Sequence, residues 1–484
     1  MYVRIALVLA ALLSFFAVAC SKLGPDYMKP QLDLPSRWQA NGGDDGAIGE
    51  PDLEILSRWW SEFNDPTLSA LIEESLSSNP NLEIAALRVR ASRENLLSIE
   101  ADTKPSLESG VSSSKGTSSG QSSTGKTTTS YSASVDASWE IDLFGKKRRN
   151  VEAAVADLKT EIANNSAARA SLTAEVGETY SAIRSTERLL KLNQERLGRV
   201  SKLVQFSEME RDSGLATYED TASIESDLAN LKTSTAEFEL SIDKLYISMD
   251  ILLGKNPGHT KSIIKPNRDQ LTVPTRLVID IPANTIRNRP DVLAAEQALA
   301  SEIAKIGIAE ANRYPSLTLS GSLGLEALNV NSLGASNANF SSLTANLIAP
   351  IFNAGKLKAN VNQQKLVSEQ ALGKYKKTLL TALEEVEKAL ITVTKTREKL
   401  ESSASAINTK AKYVGLVKSR MDVGLVDAKE VTRAELEQLA LLIEDERIKA
   451  DEVKAVIQLF KSLGGGWEIN PKDGKTSSTE RHKL

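Results

Sequence analysis

The chain has 484 residues, and 59 Lys and Arg residues against 63 Asp and Glu residues give a formal net charge of −4. Without a basic excess it cannot neutralise a phosphate backbone, which argues against a nucleic-acid partner. One Cys and two His leave little room for disulfides, thiolate metal clusters, His-based zinc sites or catalytic triads. The composition therefore predicts a protein that is not an enzyme and holds no cofactor or metal.

The first 20 residues have the layout of a secretory signal. Arg4 supplies the positive charge, and an apolar run from Ile5 to Val18 is too short for a comfortable transmembrane helix. The stretch Ala17-Val18-Ala19-Cys20 resembles the lipobox of bacterial lipoproteins. The resemblance implies that residues 1–19 are a signal peptide and that Cys20, the only Cys, becomes acylated in the mature chain. The alternative is an ordinary signal peptide that ends beside a chance Cys.

The rest of the chain consists of two copies of one unit. Pro80 in NPNLEIA and Pro290 in RPDVLAA lie 290 − 80 = 210 residues apart, and the same offset relates Gly214-Leu215 to Gly424-Leu425. A constant offset indicates a duplication without gaps. The predicted organisation is an extended, lipidated N-terminal segment (20–64), a first repeat (65–256), an equatorial linker (257–280), a second repeat (281–466) and a polar, disordered tail (467–484).

Long helices are predicted in each copy. No Pro lies between Pro105 and Pro257 or between Pro350 and Pro471, and Pro inside a helix costs about 3 kcal/mol. Apolar residues recur at three- and four-residue steps, and the two longest helices would each run about 100 Å. A coiled coil would show the same periodicity. The predicted helices cover residues 66–102, 146–212, 217–252, 290–312, 356–422 and 427–462.

Segments between the helices alternate in polarity and predict four strands, one β-hairpin per copy. From Tyr131 to Leu143, odd positions are apolar, whereas even positions carry hydroxyl or acidic side chains. The other strands are 317–325, 343–349 and a weaker one at 107–114, with polar, flexible connections at 116–129 and 327–339. A soluble sheet would alternate as well. In a membrane four strands cannot close a barrel, so the chain would have to oligomerise, and three copies would give twelve strands around a polar lumen.

Several motifs together resemble one family. They are Gly24-Pro25-Asp26-Tyr27, Trp59-Trp60, the stretch WEIDLFG at 139–145, and Arg289-Pro290-Asp291-Val292 with Ala295-Glu296. The chain resembles an outer-membrane factor of the TolC/OprM type, in its NodT-like lipoprotein branch. The implied fold is mainly α with a β-barrel: a trimeric, 12-stranded outer-membrane barrel, four strands per chain, continued by a long periplasmic α-helical barrel.

The resemblance also implies the function. The chain would be the outer-membrane exit duct of a tripartite efflux pump in a Gram-negative bacterium. As a lipid-anchored homotrimer it would passively conduct substrates delivered by a periplasmic adaptor protein and an inner-membrane transporter of the RND type. Its contacts would be with these proteins and with outer-membrane lipid, not with nucleic acid.

Site residues follow from the resemblance and from the alternation. The helical-hairpin turns imply adaptor docking at Gly214, Leu215, Gly424 and Leu425, although each Gly is also explained by a positive φ at a helix end. Asp427 and Glu430 are implied as a periplasmic gate, with a helix N-cap as the alternative for Asp427. Three acids share the even-numbered face of the second strand and would line the lumen, which predicts preference for cations: Asp136, Glu140 and Asp142.

The competing hypothesis is a lipid-anchored periplasmic scaffold, in which the helices form coiled coils and the strands pack as soluble sheets. It predicts a protein without conductance that needs no detergent once its lipid is removed. An enzyme is a weaker alternative, because the sequence contains neither a Gly-rich phosphate loop nor a Ser-His-Asp arrangement.

Overall fold

A computed structural model of the chain describes residues 22–31, 34–35, 37–39, 53–120, 123–265, 270–274 and 286–467. Cys20, the predicted signal peptide and residues 468–484 of the predicted tail lie outside the described residues. The helices and strands are α1 (Leu53–Ser57), α2 (Pro66–Ser78), α3 (Pro80–Ala101), β1 (Ser106–Gly120), β2 (Ser123–Ile141), α4 (Lys146–Asp212), α5 (Tyr218–Leu252), α6 (Pro290–Ala311), β3 (Ser316–Ala327), β4 (Asn339–Ile348), α7 (Lys356–Asp422) and α8 (Ala428–Ser462).

The duplication predicted from the sequence is confirmed by the helices. α4 and α7 both have 67 residues, α5 and α8 both have 35, and α3 and α6 both have 22. Each pair is displaced by 210 residues, as between Lys146 and Lys356 (356 − 146 = 210). None of the helices that the structure describes has the combination of length and apolar character needed to cross a membrane.

The chain divides into two compact units. The described residues of 1–31, 87–163 and 293–377 form the first unit, which contains all four strands. Those of 32–86, 164–292 and 378–484 form the second unit, which contains both Gly-Leu turns. α4 and α7 contribute residues to both units.

The opening helix of the first repeat is interrupted, which corrects the prediction of one helix over 66–102. α2 ends at Ser78 and α3 begins at Pro80, with Asn79 between them in an extended conformation. Pro disfavours the α conformation in the residue before it, so the helix cannot run through Asn79. The Asn79 side chain then caps α3, because its Oδ1 accepts the backbone N–H groups of Asn81 (2.8 Å) and Leu82 (3.2 Å).

The N-terminal segment is not extended throughout, contrary to the prediction for 20–64. Its end forms α1 and a 3-10 turn at Trp59–Phe63. Trp59 is buried and stacks on Phe460 of α8, with ring centroids 5.8 Å apart. Burial of a large aromatic surface favours a compact helical turn here, because the turn points three aromatic side chains inward.

The four strands form one antiparallel sheet in the order β1-β2-β3-β4. The first hairpin is longer than predicted, because most of the supposed connection at 116–129 belongs to β1 and β2. Cross-strand hydroxyl pairs such as Ser114–Ser130 (2.8 Å) and Thr117–Thr127 (3.2 Å) explain why this polar sequence forms strands. β1 and β4 lie at the two edges of the sheet.

Candidate functional site

One face of the sheet is polar along its whole width. The strand register aligns Glu108, Asp136, Ser322 and Ser342 in one row, which we call the acidic row. Hydroxyl, amide and small side chains occupy most of the neighbouring rows on this face. The even-numbered positions of β2 thus share a surface with the even-numbered positions of the other three strands, as alternation requires.

The opposite face is apolar and exposed in the single chain. Val111 on β1 is 88% exposed and Leu343 on β4 is 86% exposed. The exposed large apolar side chains of this face, all at odd-numbered positions, are Leu107, Val111, Val135, Trp139, Leu323, Leu343 and Leu347. Ser109, Ser113 and Lys115 of β1 are polar residues that share it toward that edge. A contiguous apolar surface of this kind requires an apolar environment or partner to cover it.

Asp136 lies on the polar face as predicted, and the register adds an acid that sequence reasoning missed. Glu108 is directly opposite Asp136 on β1, so two carboxylates meet in the acidic row. Ser134 donates a hydrogen bond to Asp136 (Oγ to Oδ2, 2.8 Å). Alternation alone places Glu108 on an even position, but only the strand register shows that the two acids are neighbours.

Glu140 and Asp142 differ from Asp136 in having cationic partners. Glu140 Oε2 lies 3.5 Å from Lys147 Nζ, while Asp142 Oδ2 lies 3.1 Å from Arg148 Nε. Asp142 also accepts the backbone N–H groups of Lys147 (3.1 Å) and Arg148 (3.0 Å). β2 ends at Ile141, so Asp142 lies beyond the strand and caps the start of α4. The alternating strand that the sequence predicted to end at Leu143 therefore ends two residues earlier, at Ile141.

The two Gly-Leu turns have the same backbone structure. Gly214 and Gly424 have φ of 73° and 75°, where a residue with a side chain is strained. In the first turn Gly214 donates to Arg211 O (2.9 Å) and Leu215 donates to Glu210 O (2.8 Å). The second turn repeats both bonds 210 residues later. This is the Schellman motif, so the conformational explanation for both glycines is correct.

Exposed apolar side chains follow both glycines. Leu215 is 81% exposed and Leu425 is 68% exposed, although leucine is usually among the buried residues. Tyr218 and Val423 beside them are exposed as well. Each turn therefore presents an apolar tip.

The helix that follows each turn begins with a different cap. Thr217 and Asp220 form a capping box, in which each side chain accepts the other residue's backbone N–H group. The hydrogen bond from the Thr217 hydroxyl lowers the pKa of Asp220. At the equivalent positions, Asp427 accepts the backbone N–H of Glu430 (2.8 Å), so the N-cap alternative for Asp427 is correct. The Glu430 carboxylate lies 4.0 Å from Arg433.

Ion pairs that the sequence did not reveal connect the two helical hairpins near these turns. Lys429 Nζ lies 2.6 Å from Glu210 Oε2, joining the start of α8 to the end of α4. Further along, Glu435 pairs with Arg199 of α4 (2.7 Å), again between the hairpins, and with Lys418 of α7 (2.8 Å), within the second hairpin. Charged residues at helical spacing are ordinary surface features in sequence, so only the packing of the hairpins shows these partners.

Comparisons with known proteins match this architecture. The model of the family described as "Outer membrane efflux protein" matches residues 71–255 and again 281–465, once in each copy. The toluene efflux pump outer membrane protein TtgC of Pseudomonas putida is 27% identical over 470 residues, which cover 94% of this chain and 95% of TtgC. Nodulation protein T of Rhizobium leguminosarum bv. trifolii is 31% identical over 388 residues, which cover 78% of this chain and 80% of the relative.

The solved structures lead to the same family. The structure of the outer-membrane channel OprN aligns with a TM-score of 0.82 at 28% identity, covering 92% of this chain and 99% of OprN. The mainly helical fold with one four-stranded sheet and an internal duplication, as predicted, is the fold of these channels. With a family match in each copy and relatives along nearly its whole length, the chain belongs to the outer membrane efflux protein family and is a passive efflux channel of the outer membrane rather than an enzyme.

Proposed function

We propose that three copies of the chain close into one twelve-stranded barrel and form the exit duct of a tripartite efflux pump. The observation that carries this proposal is the sheet, which has one polar face, one exposed apolar face and two edges at β1 and β4. Strand edges in a lipid bilayer must be paired, so β1 of one copy would pair with β4 of the next. The apolar face would then contact lipid and the polar face would line the lumen.

The acids of the polar face set the expected selectivity of this lumen. Glu108 and Asp136 would appear three times at one level of the barrel, and Glu140 lies two rows further along the same face. Rings of carboxylates attract cations and repel anions at close range. Asp142 contributes less, because Arg148 and two backbone N–H groups already compensate its charge.

The helical tips are the proposed contact with the periplasmic adaptor protein. Leu215 and Leu425 are the exposed apolar side chains that an adaptor would cover, while Gly214 and Gly424 fix the turns that present them. Asp427 and Glu430 are proposed as an acidic gate at the second tip. The partner of the adaptor is proposed to be an inner-membrane transporter of the RND type.

The proposed anchor is an acyl group on Cys20, as implied by the lipobox resemblance. Growth with labelled palmitate should give a labelled chain, and Cys20→Ser should give an unlabelled one. Incorporation by the Cys20→Ser chain would show that the lipobox interpretation is wrong.

Native mass measurement of the detergent-solubilised chain, followed by planar-bilayer recording, tests the duct. We expect a trimer with cation-preferring conductance. A stable monomer that conducts no ions, and that stays in solution without detergent after removal of its lipid, would support the periplasmic scaffold instead. Anion preference in a conducting trimer would refute the assignment of the polar face to the lumen.

A further inference from the structure

Residues 22–31, which begin two positions after Cys20, belong to the first unit and contact the connection between β2 and α4. Leu23 donates its backbone N–H to Phe144 O (3.3 Å), and the backbone of Lys22 passes against Gly145. A Cβ at Gly145 would lie 2.9 Å from Lys22 Cα, so the contact requires Gly there. Phe144 lies in the connection between β2 and α4. It is three residues beyond Ile141, which belongs to the last row of the apolar face at this end of the sheet.

A buried arginine holds this segment. Arg149 on α4 is fully buried, and its guanidinium donates to Leu23 O (Nε, 2.8 Å) and Gly24 O (Nη2, 2.8 Å). Nη1 reaches Glu152 (2.8 Å) and Asp26 (2.9 Å). A buried guanidinium is costly unless its donors and its charge are matched, and here the segment itself supplies three of the four partners.

Ionic contacts tighten the same region. Lys22 Nζ lies 2.8 Å from Glu152 and 3.2 Å from Asp26. The hydrogen bond and charge of Lys22, followed by those of Arg149, lower the pKa of the exposed Asp26 carboxyl. At neutral pH the carboxylate is therefore fully available to both cations.

Glu296 on α6 provides a second attachment point. It accepts a hydrogen bond from Tyr27 Oη (3.2 Å) and pairs with Lys29 Nζ (2.7 Å). Burial and the neighbouring Glu296 carboxylate raise the pKa of Tyr27, so its hydroxyl remains a donor. Two of the motifs noticed in the sequence, Gly24-Pro25-Asp26-Tyr27 and the Glu of RPDVLAAE, thus contact each other.

Two glycines make the close approach possible. Gly24 has φ of 82°, and a Cβ there would lie 2.5 Å from Gly307 Cα. A Cβ at Gly307, inside α6, would lie 2.6 Å from Arg149 Nε and 2.7 Å from Leu23 O. Gly in a helix interior is unfavourable relative to Ala, and here it provides space for the docked segment.

For each of these three residues, the equivalent position in the other copy of the duplication shows that the fold does not require it. Positions 149, 296 and 307 have 210-residue equivalents at Ala359, Ala86 and Leu97, respectively. The equivalent helices form without a buried Arg, an acid or a Gly at these places. Arg149, Glu296 and Gly307 therefore serve the N-terminal segment rather than the helices that contain them.

From this geometry we infer that Arg149, supported by Glu296 and Gly307, is a positioning residue for the membrane anchor. It fixes residues 23–26 where β2 passes into α4, at the end of the apolar face. Cys20 is two residues from Lys22, so an acyl group is tethered within about 7 Å of this point. We call Arg149, Glu296 and Gly307 the clamp. Its role in anchoring rests on the proposed acylation of Cys20, whereas the docking of residues 22–31 does not.

Hydrogen exchange of the full-length, detergent-solubilised chain tests the clamp itself. Gly307→Ala should accelerate exchange in the peptide covering residues 22–31 about tenfold, although Ala favours a helix. Gly373→Ala is the matched control, because Gly373 lies inside α7 with open space around its Cβ position. Arg149→Lys should also release the peptide, since Lys retains the charge but cannot donate to two carbonyls and two carboxylates at once. Unchanged protection in both Gly307→Ala and Arg149→Lys would overturn the clamp.

A photoactivatable fatty acid, with its reactive group close to the carboxyl end, tests the anchoring role. In cells fed this probe, the wild-type chain should cross-link from Cys20 to peptides that contain residues 141–144 and 348–352, which lie at the end of the sheet where β2 passes into α4. Gly307→Ala should retain the probe but lose these cross-links, whereas Gly373→Ala should keep them. The same cross-links in Gly307→Ala would overturn the positioning role. A wild-type chain without probe would refute acylation, and with it the anchoring role, while hydrogen exchange still decides the clamp.

Discussion

The two copies of the duplicated unit share their backbone and differ in where they carry charge. Equivalent helices have equal lengths, and both turns use the same Gly-Leu motif with the same hydrogen bonds. The first copy carries Glu108 and Asp136 on the sheet, where the second has Thr318 and Asn346. At the turns the second copy carries Asp427 and Glu430, whereas the first has Thr217 and Asp220. The two copies thus share a scaffold and differ in the charged side chains that they carry on it.

A trimer contains six copies of the unit. Because each of these charged residues occurs in only one copy per chain, it would appear three times around the axis rather than six. In the proposed duct, acidic and neutral copies would therefore alternate around the axis at the acidic row, whereas at the turns both copies carry an acid, Asp220 in the first and Glu430 in the second. Substitutions that give one copy the charges of the other test whether these acids set the selectivity and gating proposed for them.

Neutralising the sheet acids should have the largest effect. Glu108→Gln with Asp136→Asn makes the first copy as uncharged as the second in the acidic row. Removing about six carboxylates from one level of the barrel should reduce the cation-over-anion permeability ratio several-fold. Reversal potentials in a salt gradient measure this ratio.

Asn346→Asp sharpens the same comparison. It places an acid at the second copy's equivalent of Asp136 and should increase cation preference. Equal reversal potentials in the double variant, the wild type and Asn346→Asp would contradict the assignment of this face to the lumen.

Neutralising the acids at the second turn should have the next largest effect. Asp427→Ala with Glu430→Ala should raise the conductance of the resting channel, because it removes the proposed gate at the second tip, and the trimer should persist. Thr217→Ala with Asp220→Ala is the matched control, since it removes the equivalent cap from the first copy. If both double variants behave alike in planar bilayers, the second turn has no special part in gating.

The sequence was sufficient for the scaffold and insufficient for its charged contacts. Proline gaps, the constant offset of 210 and the alternation in β2 predicted the long helices, the duplication and the sheet, because these depend on local patterns. The break at Asn79 was missed although Pro80 signals it. Glu108 opposite Asp136, and Lys429 beside Glu210, depend on strand register and hairpin packing, which no local pattern contains.

Breaking the ion pair between the two hairpins should have a moderate effect. Lys429 is largely buried and joins the second copy to Glu210 of the first, so Lys429→Ala should loosen the tips and increase leakage of the resting channel. The charge exchange Glu210→Lys with Lys429→Glu should restore the wild-type leakage. Arg433→Ala is the control, because its 4.0 Å contact to Glu430 lies within one helix. Leakage in the exchanged variant equal to that of Lys429→Ala would mean that the pair itself is not what closes the tips.

Removing a helix cap should have the smallest effect of these substitutions. The loss of local stability should be nearly the same at the two turns. Thr217→Ala and Asp427→Ala each leave the N–H of the third residue of the helix without its side-chain acceptor. Loss of an N-cap costs about 1 kcal/mol, which is a roughly fivefold increase in local opening. Hydrogen exchange of peptides around 213–222 and 423–432 should show this increase at the mutated turn only.

Asp427→Asn separates the cap from the charge, because Asn caps a helix about as well as Asp does. It should keep the protection of the second turn while losing its acid. If Asp427→Asn conducts like the wild type and Asp427→Ala does not, Asp427 acts on the channel as a cap, and Glu430 alone is left to supply the acidic ring.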